Sequence, residues 1–169
     1  MQIVTGPLEQ APDDCEPIEP RTGPPAKPAN ERSTEEGEAY ASQGLRMLID
    51  AEKQDKPYAE VTTLIEGSVQ KFLTSLAADP LNVKATYNLA AAYARIGRNQ
   101  CALNLLARLV VMKDFPSRRT SGVPVKGAYS VAETFDRMMG RGKKWNGKPD
   151  PDFDNLRQNP KFRELVKGM

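Results

Sequence analysis

The chain has 169 residues, room for one domain and a tail, and 39% of them are apolar, against the ~45–50% usual for a globular domain. Histidine is absent, which removes the commonest general base and metal ligand, and the two cysteines, Cys15 and Cys101, imply neither a disulfide framework nor a zinc site. The net charge of +2 is unevenly spread: residues 1–80 carry 7 Lys/Arg and 15 Asp/Glu, residues 81–169 carry 17 and 7, so the halves either dock on one another or leave a basic half for an anionic partner.

Seven of the fourteen prolines fall in the first thirty residues. Proline fixes φ and removes a donor, so residues 1–32 are expected to form an extended, Pro-rich arm without a core of its own. That arm is a linker, or a contact that folds onto a neighbour. The opening "MQIVTGPLEQAPDDC" lacks a basic region followed by an apolar one, and no apolar run approaches the ~18 residues of a membrane span. A soluble protein, cytoplasmic or periplasmic, is expected.

Ser33-Thr34-Glu35-Glu36 has the spacing of a capping box and is expected to open a first helix, with Ala41, Leu45, Leu48, Ile49 and Glu52 on one face. Val61, Leu64, Ile65, Val69, Phe72, Leu73 and Leu76 follow the helical period and stop at Asp79-Pro80. A third pattern, Ala85, Leu89, Ala92, Tyr93 and Ile96, stops at Gly97. A fourth, Ala102, Leu105, Leu106, Leu109 and Met112, ends before Phe115-Pro116. Short connections between such helices predict antiparallel hairpins. No strand is expected, because Val123-Pro124-Val125 is short and interrupted by proline.

Beyond residue 115 the pattern becomes irregular. Ser130 and Glu133 make a second capping box, opening a short helix with Val131, Phe135, Met138 and Met139 inward. "GRGKKWNGKPD" reads as a loop. The closing stretch offers Phe153, Leu156, Phe162, Leu165 and Val166 as apolar anchors, with Asn159 and Pro160 as the cap and first turn of a last helix.

Phe72 and Leu106, Ser68 and Ala102, and Pro80 and Asp114 are each 34 residues apart, the period of tetratricopeptide repeats. Tyr87-Asn88-Leu89-Ala90 followed by Tyr93, then Gly97, Ala102 and Leu106, resembles one unit of that family, near 83–114. A degenerate unit precedes it, matching at Ser68, Phe72 and Asp79-Pro80, with Ala59 where a tyrosine belongs. The closing "DPDFDNLRQNPKFRELV" is similar to the end of many bacterial tetratricopeptide proteins. The resemblance implies an all-α fold: a Pro-rich arm (1–32), helical hairpins forming a short α-solenoid (33–114) and an irregular helical cap (115–169). It also implies a groove lined by Lys84, Tyr87, Asn88, Ala91, Ala94 and Arg95, in which a partner's peptide or helix docks.

Other clusters have their own readings. Arg137, Arg141, Lys143, Lys144, Trp145 and Lys148 gather cations around one aromatic, as a solvated loop or as a surface for nucleic acid or an acidic partner. Asp150, Asp152 and Asp154 alternate as in a calcium loop but lack its glycine and distant glutamate, so Asp152 or Asp154 is expected to cap a helical turn. Cys15, followed by a Pro-rich acidic stretch, resembles the first residue of a mature bacterial lipoprotein, although Asp13 and Asp14 precede it. No nucleophile–base pair can be assembled, and Gly140-x-Gly142 is not followed by the helical pattern of a phosphate loop. The expectation is therefore a non-catalytic interaction scaffold or assembly subunit, without cofactor or metal.

Overall fold

The computed structural model describes residues 31–53, 55–113 and 129–169, with side chains from Thr34 onward. The expected arm, the Val123-Pro124-Val125 stretch and the connection after the fourth helix lie outside the described residues. Among those described, seven α-helices and one 3₁₀ helix account for the regular structure, and there is no strand. The all-α class read from the sequence holds.

Helix α1 (Glu31–Glu52) and helix α2 (Tyr58–Ala78) run antiparallel. Ser75 Oγ donates to the Gly37 carbonyl at 2.5 Å near one end, and Gly44 lies against the Phe72 ring further along. This hairpin is closely packed because α1 presents small residues. Ala41, Gly44, Leu48 and Ala51 form its buried face, at helical spacing, and a Cβ built on Gly44 would stand 2.7 Å from the Phe72 ring. Two expectations are corrected here. Ile49 is 48% exposed rather than inward, and α1 begins at Glu31, so Ser33 is not its N-cap. In α2, Ile65, Val69, Phe72 and Leu76 are buried as the periodicity predicts.

Asn82 caps helix α3 (Val83–Arg95), its Oδ1 accepting from the Ala85 amide at 2.8 Å. At the other end the Arg98 amide donates to the Tyr93 carbonyl and the Gly97 amide to that of Ala94, a Schellman turn that reverses the chain into α4 (Asn99–Lys113). Every residue of α3 from Val83 to Ala94 is buried. A helix buried all round lies at the centre of a fold, and α3 packs against α1, α2, α4 and the C-terminal 3₁₀ helix. Leu89, Tyr93, Leu105, Leu106 and Leu109 are fully buried where α3 and α4 meet, as expected. Each large apolar side chain there contributes about 1.5–3 kcal/mol of burial.

The C-terminal part closes on the same core. Ser130 Oγ caps helix α5 (Val131–Met139) through the Glu133 amide, and Gly140 ends it at φ 71°. A Cβ on Gly140 would lie 2.6 Å from the Pro149 nitrogen, so both the backbone angle and the close return of the chain require glycine. The stretch read as a loop contains one helical turn, α6 (Gly142–Trp145). A 3₁₀ helix (Pro151–Leu156) follows. It is capped by Asp150, whose Oδ1 accepts from the Asp152 amide at 3.0 Å, rather than by Asp152 or Asp154. Helix α7 (Pro160–Val166) begins at Asn159 as predicted, the side chain accepting from the Lys161 amide at 2.9 Å. Phe135, Met138, Phe153, Leu156 and Phe162 join the buried cluster built by α1–α4.

Cys101, buried in the first turn of α4, is disulfide-bonded, a link that the two cysteines of the sequence did not by themselves imply. The other cysteine of the chain, Cys15, lies outside the described residues.

Candidate functional site

The residues assigned to a groove occupy one side of α3, at positions 84, 87, 88, 91 and 95, as helical spacing requires. The structure does not leave that side open. Lys84, Tyr87, Asn88 and Ala91 are buried, and the Arg95 side chain is 11% exposed. At the N-terminal end of α3 the cover comes from α1: Lys84 Nζ pairs with Glu38 at 3.2 Å and donates to Ser42 Oγ at 3.3 Å, while Asn82 Nδ2 donates to the other Glu38 oxygen. Asn88 turns back on its own helix and donates to the Lys84 carbonyl at 2.9 Å, so it presents no clamp to a partner.

Further along, the cover is the 3₁₀ helix. Phe153 is fully buried against Tyr87, with ring centroids 5.3 Å apart and tilted by 59°. Asn155 Nδ2 donates to the Ala94 carbonyl at 2.9 Å. Two carboxyl groups of this segment meet the polar atoms of α3 and α5. Asp150 Oδ2 accepts from the Tyr87 hydroxyl at 2.7 Å and from Arg137 Nε at 3.1 Å. Asp152 Oδ1 lies 3.7 Å from Arg95 Nε, and Glu52 of α1 lies 3.7 Å from Arg95 Nη1. Arg157 fastens the far end, donating to the Met138 and Asp150 carbonyls.

The electrostatics of this cluster are uneven. Burial pushes the Asp152 carboxyl up to about 7, helped by the charges of Asp150 and Glu52 and opposed by Arg95 and Arg137. Burial also pushes the Tyr87 hydroxyl far above the ordinary tyrosine range, with the Asp150 charge and hydrogen bond acting in the same direction. Asp150 holds directional donors from two other elements, whereas Asp152 faces a guanidinium beyond hydrogen-bond distance.

The basic patch is a separate feature. Arg141, Lys143, Lys144 and Lys148 are exposed and Trp145 is half-buried. Arg141 pairs with Asp136 at 3.2 Å and donates to the Met169 carbonyl, while Lys143, Lys144 and Lys148 form no ion pair among the described residues. Lys144 and Arg137 both lie over the Trp145 indole, at 4.9 and 5.7 Å from its centroid, so the ring is engaged by cations of its own chain. Of this group only Arg137 reaches the cluster on α3.

Sequence reading missed Asp150 and Arg157 as parts of the site; it placed Arg137 beside Trp145, where it does lie, but missed its second engagement with Asp150. The one local signal was the Asp-Pro after residue 149, which marks a capped turn; nothing nearby identifies Tyr87, 63 residues earlier, as its partner. Among the described residues no group of acidic or sulfur side chains is arranged to hold a metal ion. The chain matches no family model, no curated protein and no solved structure.

Proposed function

We propose that the protein is a non-catalytic protein–protein interaction scaffold whose α3 side receives an acidic peptide segment of a partner. The observation that supports this reading is the segment already there. Residues 150–156 lie on α3 as a docked peptide would, with one aromatic anchor (Phe153) against Tyr87 and two carboxyl groups facing Arg137 and Arg95. Buried aromatic anchors and guanidinium–carboxylate pairs are the groups that dominate peptide recognition. The tetratricopeptide-like hairpins supply a rigid support for such a side, and in this reading a partner segment exchanges with the chain's own.

One alternative fits less well. Nucleic-acid binding through Lys143, Lys144 and Lys148 lacks an open aromatic platform, because the Trp145 ring is taken up by Lys144 and Arg137.

The test is trans-complementation. In Asp150→Asn, Tyr87 and Arg137 remain but the carboxylate facing them is gone. A labelled synthetic peptide spanning residues 148–158 should bind this variant, checked for a native helical melt, more tightly than it binds the unaltered protein. Binding should weaken with added salt and be lost when Arg95→Gln is combined with Asp150→Asn. If millimolar peptide binds neither protein, or binds the double variant equally well, the α3 side is a core face and not a docking side.

A further inference from the structure

We propose that the Asp150–Asp152 carboxyl pair is a proton-operated latch: with one proton on Asp152 it holds the C-terminal segment on α3, and loss of that proton loosens the segment. The argument begins with a count of charges. Two arginines, Arg95 and Arg137, face three carboxyl groups: Asp150 and Asp152 from the 3₁₀ segment and Glu52 from α1. Tyr87, the remaining titratable group facing the pair from α3, donates its proton in a hydrogen bond to Asp150 and adds no positive charge. With all three acids ionised the cluster carries one uncompensated negative charge, and two of its carboxylates are buried. Such a charge is costly in a low-dielectric setting, and a single proton removes it.

Geometry says which oxygen takes the proton. The Asp150 oxygens accept from Tyr87, from Arg137 and from the Asp152 amide, three donors that favour a carboxylate. Asp152 has no comparable set. The one cation within ion-pair distance of it among the described residues, Arg95, stands at 3.7 Å, is shared with Glu52 at the same distance, and also donates to the Leu48 carbonyl, while Arg137 acts on it only from farther off. Ionising Asp152 therefore sets it against Asp150 two residues away and Glu52 across the contact, with a shared Arg95 and a more distant Arg137, already bonded to Asp150, to offset both. The strain falls on the contact between the 3₁₀ helix and α3. The shift of Asp152 toward neutral pH is consistent with this placement.

The chain carries its own reporter. Trp145 is the only tryptophan, and Arg137, which bonds Asp150, also lies over its indole. We would measure amide exchange of residues 151–166 in the full chain from about pH 4.5 to about pH 8.5, corrected for the intrinsic pH dependence of exchange, alongside Trp145 emission. Protection should fall as pH rises toward neutrality, by up to roughly tenfold per pH unit on the acid side, and level off above the transition, where closed and open segments are both deprotonated, and emission should shift with the same midpoint. Asp152→Asn should abolish both transitions and keep the segment protected throughout. Glu52→Gln, at a half-exposed position that tolerates change, should move the midpoint to lower pH by removing one of the repelling charges. Protection that stays flat in the unaltered protein overturns the latch, as does a midpoint that Glu52→Gln leaves in place. That opening the latch regulates docking rests on the docking reading; these measurements contain no partner, so either idea can fail while the other stands.

Discussion

Tyr87 shows how one side chain joins three elements. Its ring packs on Phe153, the Arg137 guanidinium lies 5.6 Å from its centroid, and its hydroxyl donates to Asp150. Because both burial and the Asp150 charge oppose ionisation, this phenol should stay protonated at alkaline pH while the fold persists. Tyr87→Phe tests the hydrogen bond without disturbing the packing. It leaves the buried Asp150 carboxylate one donor short, and a charge-assisted bond of this kind is worth about 1.5–3 kcal/mol. We expect a comparable loss in denaturant unfolding. In a spectrophotometric titration the Tyr87 phenol should ionise only on unfolding, so the amplitude of the late step should fall by one tyrosine in the variant. A late step of unchanged amplitude in Tyr87→Phe would show that Tyr87 ionises with the exposed phenols.

At the scale of elements, the α1–α2 hairpin depends on close approach rather than on bulk. Gly44 faces the Phe72 ring, and an added methyl would stand 2.7–2.8 Å from it. Gly44→Ala should therefore destabilise the protein by about 1–3 kcal/mol, although alanine is intrinsically the better helix former. Adding Phe72→Leu should recover part of that loss by making room, giving a favourable coupling in a double-mutant cycle. Simple additivity would mean that the helices move apart instead.

The same hairpin shows what the sequence made legible. Caps and stops act over three or four residues, so Asn159, Ser130 and the turn at Gly97 could be read directly. Bulky periodic residues located α2 and the α3–α4 contact, with Phe72, Leu89 and Leu106 all buried as expected. On α1, Ala41 and Leu48 are buried as expected, but the search for apolar periodicity favoured Ile49, which is exposed, and passed over Gly37 and Gly44, which complete the buried contact. The side of α3 was read as open for a different reason. A tyrosine, a lysine and an arginine on one helix side resemble a polar surface, and their cover arrives from α1, some forty residues earlier, for Lys84 and from a segment more than fifty residues later for Tyr87 and Arg95. Pairing over such a separation leaves no periodic trace.

Over the whole molecule, the Asp152 carboxyl couples stability to pH. Its folded-state value of about 7 lies above the ordinary 3.8, so between these limits the folded protein holds a proton that the unfolded chain releases. The stabilisation is complete at the acid end of that window and is lost as pH rises toward 7. A pH series of thermal melts should reveal a decline on the order of a few kcal/mol from this group, and Asp152→Asn should flatten it. A variant whose pH profile runs parallel to that of the unaltered protein would place the coupling on other groups.

The arrangement around α3 also bears on how the chain is made. Synthesis runs from the N-terminus at roughly 5–20 residues per second. Helices α1 to α4 can therefore associate while residues 150–156 are still untranslated, and several seconds separate the emergence of Arg95 from that of Asp152. During that interval Tyr87 and Arg95 form an uncovered surface on a nascent chain, and a later-made part of the chain is the part that closes it. A ribosome stalled before Pro151 would display the α3 side without its cover, presenting to any neighbouring acidic segment the surface that the finished molecule keeps for its own.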